Sequence, residues 1–241
     1  MGALPNPMYA LPRTDSSRSL ALWTLAALLL VAGWDASGLD LPAARLLAGP
    51  HGFPLQEHWL LTKVLHAGVL PLSWVLVGWI TLGVRWPTFG LQRLAAGLRL
   101  RWAGGMWLSL LVVDLMKRGS RTSCPWDLAE FGGTAVHVSH WAWGVFDGGV
   151  GHCFPAGHAI AGFVFVAGFF AWRRQSPAQA RRWLAGGLIA GSVLGLSQQL
   201  RGAHYMSHTL WTAWLCWVLA WAVHAVPALS SARLPVASTK L

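Results

Sequence analysis

The sequence predicts an all-α integral membrane protein, a bundle of six transmembrane helices. Three observations carry that expectation. Only 11% of the 241 residues are charged and 55% are hydrophobic, whereas a soluble domain carries about 25% charged residues. Five uncharged runs, Ser19–Trp34, Val64–Val84, Phe154–Trp172, Trp183–Leu200 and Thr209–Leu229, approach the roughly 20 residues that a spanning helix needs. The 18 Lys and Arg, against 8 Asp and Glu, gather at alternate borders of those runs.

In chain order, residues 1–18 read as a tail, 19–229 as one membrane domain and 230–241 as a second tail, with no internal repeat. The run Ser19–Trp34 follows a long polar stretch and lacks a small-residue cleavage site, so it reads as a retained span. Asp35–Leu60 is punctuated by Pro and Gly and reads as a loop. Val64–Val84 is the second span, and Arg85–Arg101 a basic connection. A weaker span covers Leu98–Met116, with an uncharged centre at Trp102–Val113 between Arg99, Arg101 and Asp114. Lys117–Cys153 is the longest loop. Within it, Phe131–Phe146 is uncharged but rich in Gly and His and reads as loop or interfacial segment. Arg173–Arg182, containing Pro177, reads as a short turn. Trp183–Leu200 and Thr209–Leu229 complete the set, and Pro227 opens the final tail.

Six spans place both termini on one side. With the N-terminus cytoplasmic, that side holds Arg13, Arg18, Arg85, Arg93, Arg99, Arg101, Arg173, Arg174, Arg181, Arg182, Arg233 and Lys240. Asp35, Asp40, Glu57, Asp127, Glu130 and Asp147 fall on the other. This is the positive-inside pattern, so the +10 net charge reports topology. Nucleic-acid binding is a poor reading, because these residues border spans and form no single basic face. The 17 Trp read as an aromatic belt and as packing.

Lys117, Arg118, Arg121 and Arg201 lie against the charge bias, on the outer side. An anionic substrate is a natural reason to keep them there. Phe154-Pro155-Ala156-Gly157-His158 lies between the two basic clusters, also at an outer span end. Residues 117–125, 154–158 and 197–208 thus converge on one membrane face. Lys117 is followed at motif distance by Cys124-Pro125, then come Pro155-Ala156-Gly157-His158, then Ser197-Gln198 with His204 and His208. In order and spacing these resemble the type 2 phosphatidic acid phosphatase superfamily, whose pattern is K-x6-R-P, P-S-G-H and S-R-x5-H-x3-D. The chain looks like a divergent bacterial membrane-associated subfamily of it.

The departures matter as much as the matches. Cys124 and Gln198 stand where the pattern has Arg. Arg121 lies four residues after Lys117, on one face with it if that segment is helical, and Arg201 lies three residues before His204. Both read as displaced guanidinium groups for phosphate oxygens. Ala156 replaces Ser, leaving backbone N–H groups around Ala156 and Gly157 as anion donors. His208 stands where the pattern has the Asp that orients the nucleophilic His, with Asp114 or Asp127 as compensating acids.

The resemblance implies a six-span fold and a metal-independent, cofactor-free phosphatase. In it His204 is the nucleophile that forms a phospho-histidine. His158 is the general acid and then base, and His208 is the partner of His204. Lys117, Arg121 and Arg201 neutralise the phosphate oxygens. The implied substrate is a lipid phosphate or diphosphate. Undecaprenyl diphosphate is favoured, with lipid A dephosphorylation or lipid-to-lipid phosphotransfer close behind. The implied location is the bacterial inner membrane, with the site on the periplasmic face. An oxidising periplasm allows a disulfide between Cys124 and Cys153, and two free thiols fit the sequence equally well. Cys216 reads as a buried apolar residue.

Other readings compete. His66, His137, His140 and His224 read as packed histidines. His204 and His208, four apart, would suit a shared metal on a helix, but no haem-attachment C-x-x-C-H is present. An anion transporter would explain the outer cations but not Pro-x-Gly-His. The oligomeric state is left open.

Overall fold

Residues 13–142 and 144–226 are described by the computed structural model. Residues 1–12, Pro227, Arg233 and Lys240, with the tail expected at 230–241, lie outside the described residues. Among the described residues eight α-helices appear in order: α1 Arg13–Ala36, α2 Asp40–Leu47, α3 Val69–Leu82, α4 Ala96–Gly119, α5 Ile160–Phe163, α6 Ala167–Trp172, α7 Pro177–Leu200 and α8 Met206–Ala225. A π-helix, Leu60–Gly68, runs into α3, and a 3-10 turn at Val164–Val166 joins α5 to α6. No strand occurs among the described residues; two isolated bridges are present. The all-α expectation holds.

Two helices, Ser17–Ala36 and Leu60–Leu82, are long and apolar enough to cross a membrane. The six-span expectation goes further than that. Ile160–Trp172 is shorter than a spanning helix. The helix α4 carries Arg99, Arg101, Asp114, Lys117 and Arg118 within its ends. In α7, Arg181 and Arg182 lie in the first turns and Ser197, Gln198 and Gln199 in the last. Outward faces are nonetheless apolar: Leu22, Leu29 and Leu30 on α1, Leu72 and Val75 on α3, Leu111 and Leu115 on α4, and Ile189 and Val193 on α7 are exposed.

Several boundaries differ from the sequence reading, for local reasons. The run Phe154–Trp172 is helical only from Ile160, because its first residues form the loop of the Pro-x-Gly-His segment. Pro177 starts α7 rather than sitting in a turn. Ser176 is its N-cap and accepts a hydrogen bond from Gln179 N at 3.4 Å. Pro suits the first helical turn, where its missing N–H has no intrahelical partner anyway. The loop expected at Asp35–Leu60 contains α2.

The core lies along α8, which packs against α1, α4, α5, α6 and α7. Trp102, Met106 and Val113 of α4 meet Phe163, Phe170, Cys216 and Ala220 there. α7 runs close against α5, where a side chain added at Gly162 would strike the Gly191 backbone, and one added at Gly191 would strike the Phe163 ring. Small residues let helices approach this closely. Arg101 donates to the His224 carbonyl at 3.3 Å, so the start of α4 lies beside the end of α8. Helix direction then gathers the end of α4, the start of α5, the end of α7 and the start of α8 at one pole. The basic groups Arg99, Arg101, Arg173, Arg174, Arg181 and Arg182 collect toward the other.

Candidate active site

At the first pole the chain crosses itself repeatedly. α4 ends at Gly119 and its chain continues extended, pairing with the segment before the Pro-x-Gly-His loop. His152 N donates to Ser120 O at 2.9 Å and Cys153 N to Thr122 O at 3.0 Å. Cys124 and Cys153 are joined as a disulfide across this pairing, with Cα atoms 5.2 Å apart. Trp126 N donates to Gly202 O at 2.9 Å, tying the same strand of chain to the α7–α8 turn. Ala156 N donates to His208 O at 3.2 Å, and Thr212 Oγ1 donates to Ala156 O at 3.2 Å. The three segments 117–125, 154–158 and 197–208 therefore meet.

The titratable groups inside this junction form a compact set. Lys117 donates to His152 O at 2.7 Å, and its stem would lie 3.2 Å from a Cβ added at Gly157. A side chain at position 157 would press on the lysine. Arg201 is 8% exposed, donates to Gln56 O at 2.9 Å and to Gln198 Oε1 at 3.2 Å, and lies over the Trp126 ring. Gln198, which replaces an Arg of the motif, thus holds the Arg that stands in for it. His204 Nδ1 lies 3.4 Å from His208 Nδ1 and 3.5 Å from Cys153 Sγ. With Nδ1 on the protein side, Nε2 is the nitrogen left for a ligand. The His66 and His158 rings stack with centroids 3.6 Å apart.

Burial governs the charge of these histidines. His204 is held well below the usual histidine range, first by burial, then by the nearby Lys117 and His158. His158, in the loop ahead of α5, is pushed down to about 4 by burial, then by His66, Arg201 and Lys117. Both imidazoles are neutral near pH 7. Lys117 and Arg201 form no salt bridge among the described residues; the pairs present are Arg45–Glu130, Arg118–Asp114 and His140–Asp35. Glu57 is the one acid that acts on Arg201, and it does so at a distance. Two cations beside neutral imidazoles make a site that favours an anion.

Three expectations need correction. Arg121 is not on the Lys117 face, because α4 ends at Gly119; it is exposed, donates to Gly144 O at 3.4 Å and lines a separate 260 Å³ cavity with His140, Trp141 and Phe154. The Ala156 N–H is taken by His208 O, so it is not a free anion donor. Neither proposed compensating acid faces His204: Asp114 pairs with Arg118 at 2.7 Å, and Asp127 accepts from Cys124 N at 3.1 Å.

The histidine layer is closed by groups that sequence reasoning set aside. Asp35 accepts from His140 Nε2 at 3.1 Å, Trp141 Nε1 at 2.5 Å and Trp211 Nε1 at 2.9 Å. The His140 ring stacks on Phe154, centroids 4.0 Å apart, and meets His208 edge-on at 5.3 Å. No motif marks His66, His140 or Asp35. Only the general rule that ionisable groups near membrane spans are functional candidates points to them.

The sequence model of the PAP2 superfamily matches residues 100–231, more than half of the chain and all three segments of this junction. The chain belongs to the PAP2 superfamily. At the general level, PAP2 proteins are phosphatases of phosphate esters, and two neutral imidazoles between unpaired cations suit that PAP2 chemistry. No match was found among curated proteins, and none among solved structures. A metal has one other candidate cluster among the described residues: donor atoms of Cys124, Cys153 and His204 lie within 4.8 Å of one another. The two sulfurs are bonded to each other there, and a metal ligand must be a thiolate. His204 also precedes the first turn of α8, so it shares no helical face with His208.

Proposed function

We propose that this chain is a membrane lipid phosphatase that works through a phospho-histidine. The observation that carries the reading is the convergence of Lys117, His158, Arg201 and His204 on one pole, with His204 Nδ1 turned toward His208. In the proposed first step His204 Nε2 attacks phosphorus, and the bond to the leaving oxygen breaks. His158, which takes up a proton from solvent once the anionic phosphate is bound, delivers it to that oxygen. In the second step His158 takes a proton from water, water attacks the phospho-histidine, and His204 is restored. Lys117 and Arg201 offset charge on the phosphoryl oxygens in both steps. His208 accepts from the Nδ1–H that the attacking His204 must retain, and so fixes its tautomer. The mechanism needs no metal.

A lipid substrate is supported by where the pole lies. The exposed apolar faces of α1, α3, α4 and α7 lead up to it, so a phosphate could reach Lys117 while its hydrocarbon stays among the helices. We read the bundle as six spans with both termini cytoplasmic and the site at the periplasmic face of a bacterial inner membrane. The basic residues at the opposite pole support that orientation. Undecaprenyl diphosphate is the favoured substrate, because a site at the outer face suits lipids presented at the periplasmic leaflet, with lipid A dephosphorylation close behind. The same phospho-histidine transferred to a second lipid would make a phosphotransferase. Phosphate release by the purified chain from undecaprenyl diphosphate, lipid A and phosphatidylglycerol phosphate, with chelator, tests the proposal. We expect release from at least one, lost in His204→Ala. Release that persists in His204→Ala overturns the nucleophile.

A further inference from the structure

We propose that His66 is a positioning residue of this site, stacked on His158 so that the two rings work as one pair able to hold a single proton. The inference rests on the phosphatase reading above and deepens it by saying how the acid–base group is controlled.

The geometry begins with the helix. Leu60–Gly68 is wound as a π-helix, a form that is rare and recurs at functional sites. Pro71 follows three residues after it ends. Proline has no N–H to give the Ala67 carbonyl, and its ring crowds that carbonyl; the widened turns lie on this N-terminal side. A π-turn holds more residues than an α-turn, so it turns side chains away from the face that 3.6-residue periodicity would give them. Here it lays His66 flat on His158, with centroids 3.6 Å apart and planes 24° from parallel.

The surroundings then decide what the stack does. His158 Nε2 is buried without a hydrogen-bond partner, so no neighbouring acceptor fixes its proton. The charged or titratable groups that act on the pair are Lys117 from α4 and Arg201 and His204 from the α7–α8 turn; Glu57 acts on Arg201 from a distance, and Lys63 lies on the π-helix itself. Lys117, Arg201 and His66 all oppose protonation of His158. Of these, His66 is the one stacked face to face on the ring. Two imidazolium rings at stacking distance repel strongly, so a proton on one member keeps the other neutral. Arrival of a phosphate dianion reverses the balance and lets the pair take up one proton, which His158 then delivers to the leaving oxygen.

The test compares wild type with His66→Phe, which keeps a flat ring but cannot hold a proton, and with His66→Ala. The pH dependence of kcat/KM is measured on undecaprenyl diphosphate in detergent micelles. For His66→Phe we expect one limb of the profile to move to higher pH by about one unit, with activity at the optimum within a few-fold of wild type. His66→Ala should lose more at every pH. A His66→Phe profile with wild-type midpoints, whatever its height, overturns the proposal, because a packing role would scale activity without moving a limb. Histidine 13C resonances of the full chain in micelles, titrated between pH 4 and 8 and assigned with His158→Gln, give a second reading without turnover. Wild type that releases no phosphate from any of the three lipids sinks the phosphatase reading, and the His158 midpoint in His66→Phe still judges the pair: a move to higher pH supports it, and an unmoved midpoint ends it.

Discussion

His204 and His158 are neutral because they are buried among cations, and that neutrality has two consequences. A neutral Nε2 is a nucleophile, so His204→Ala should abolish phosphate release and any trapped phospho-enzyme. His158→Ala should slow release by about 10²–10⁴-fold, the usual worth of a positioned proton donor, as read in steady-state assays. Neutral burial also links stability to pH. Unfolded histidines take up protons below about 6.5, while His158 resists until about 4. The unfolded state then binds more protons than the folded state across that window. Stability is therefore full above about pH 6.5 and falls as pH drops toward 4. Thermal unfolding in detergent from pH 8 to 4.5 should show a falling Tm, and a flat profile would contradict neutral burial. At this scale the sequence was partly legible. Motif order pointed to Lys117, His158 and His204, and spacing to Arg201 as a displaced guanidinium, but the same kind of spacing argument misplaced Arg121, since α4 ends two residues before it.

Small residues let some of these helices approach closely. The α5–α7 contact is the clearest case. At Gly162 a side chain would meet Ala190 and Gly191 backbone, which cannot rotate away as a side-chain tip would. Gly162→Leu should cost at least the roughly 1–3 kcal/mol typical of overpacking, seen as lost folded yield in detergent, whereas Leu at the open Gly186 position should be tolerated. The π-helix belongs to this scale too. Periodicity at 3.6 residues assigns His66 to an ordinary packed face, and only the wider winding puts it on His158. The Ser176–Pro177 start of α7 was present as a cap signature in the sequence. It lies inside the Arg173–Arg182 stretch that the sequence reads as a turn.

Over the whole molecule, cross-links between distant segments make the pole. The Cys124–Cys153 disulfide spans 29 residues and fixes the extended chain after Lys117 against the loop of His158. Replacing both with Ser should lower stability by about 3 kcal/mol, the order expected for closing a loop of this length, and should lower phosphate release before the bundle unfolds. By contrast Arg45→Ala, which breaks the exposed pair with Glu130, should leave the Tm almost unchanged, because a solvent-exposed ion pair is screened and adds little. The proposed orientation has its own check. A single Cys introduced at Gln175 should react with impermeant thiol reagents only after the membrane is opened, and one at Ser139 should react in intact cells. Equal labelling at both sites would overturn the six-span reading.

The sequence by itself determined the all-α class, the family and the three segments that meet, because charge depletion, charge asymmetry and motif spacing are local properties written along the chain. Tertiary structure alone decided which side chains face one another. Contacts such as His66 with His158, Asp35 with His140, and Ala156 N–H with His208 O join segments tens of residues or more apart. Their geometry depends on helix winding and on how closely helices pack, and no local pattern of residues encodes either.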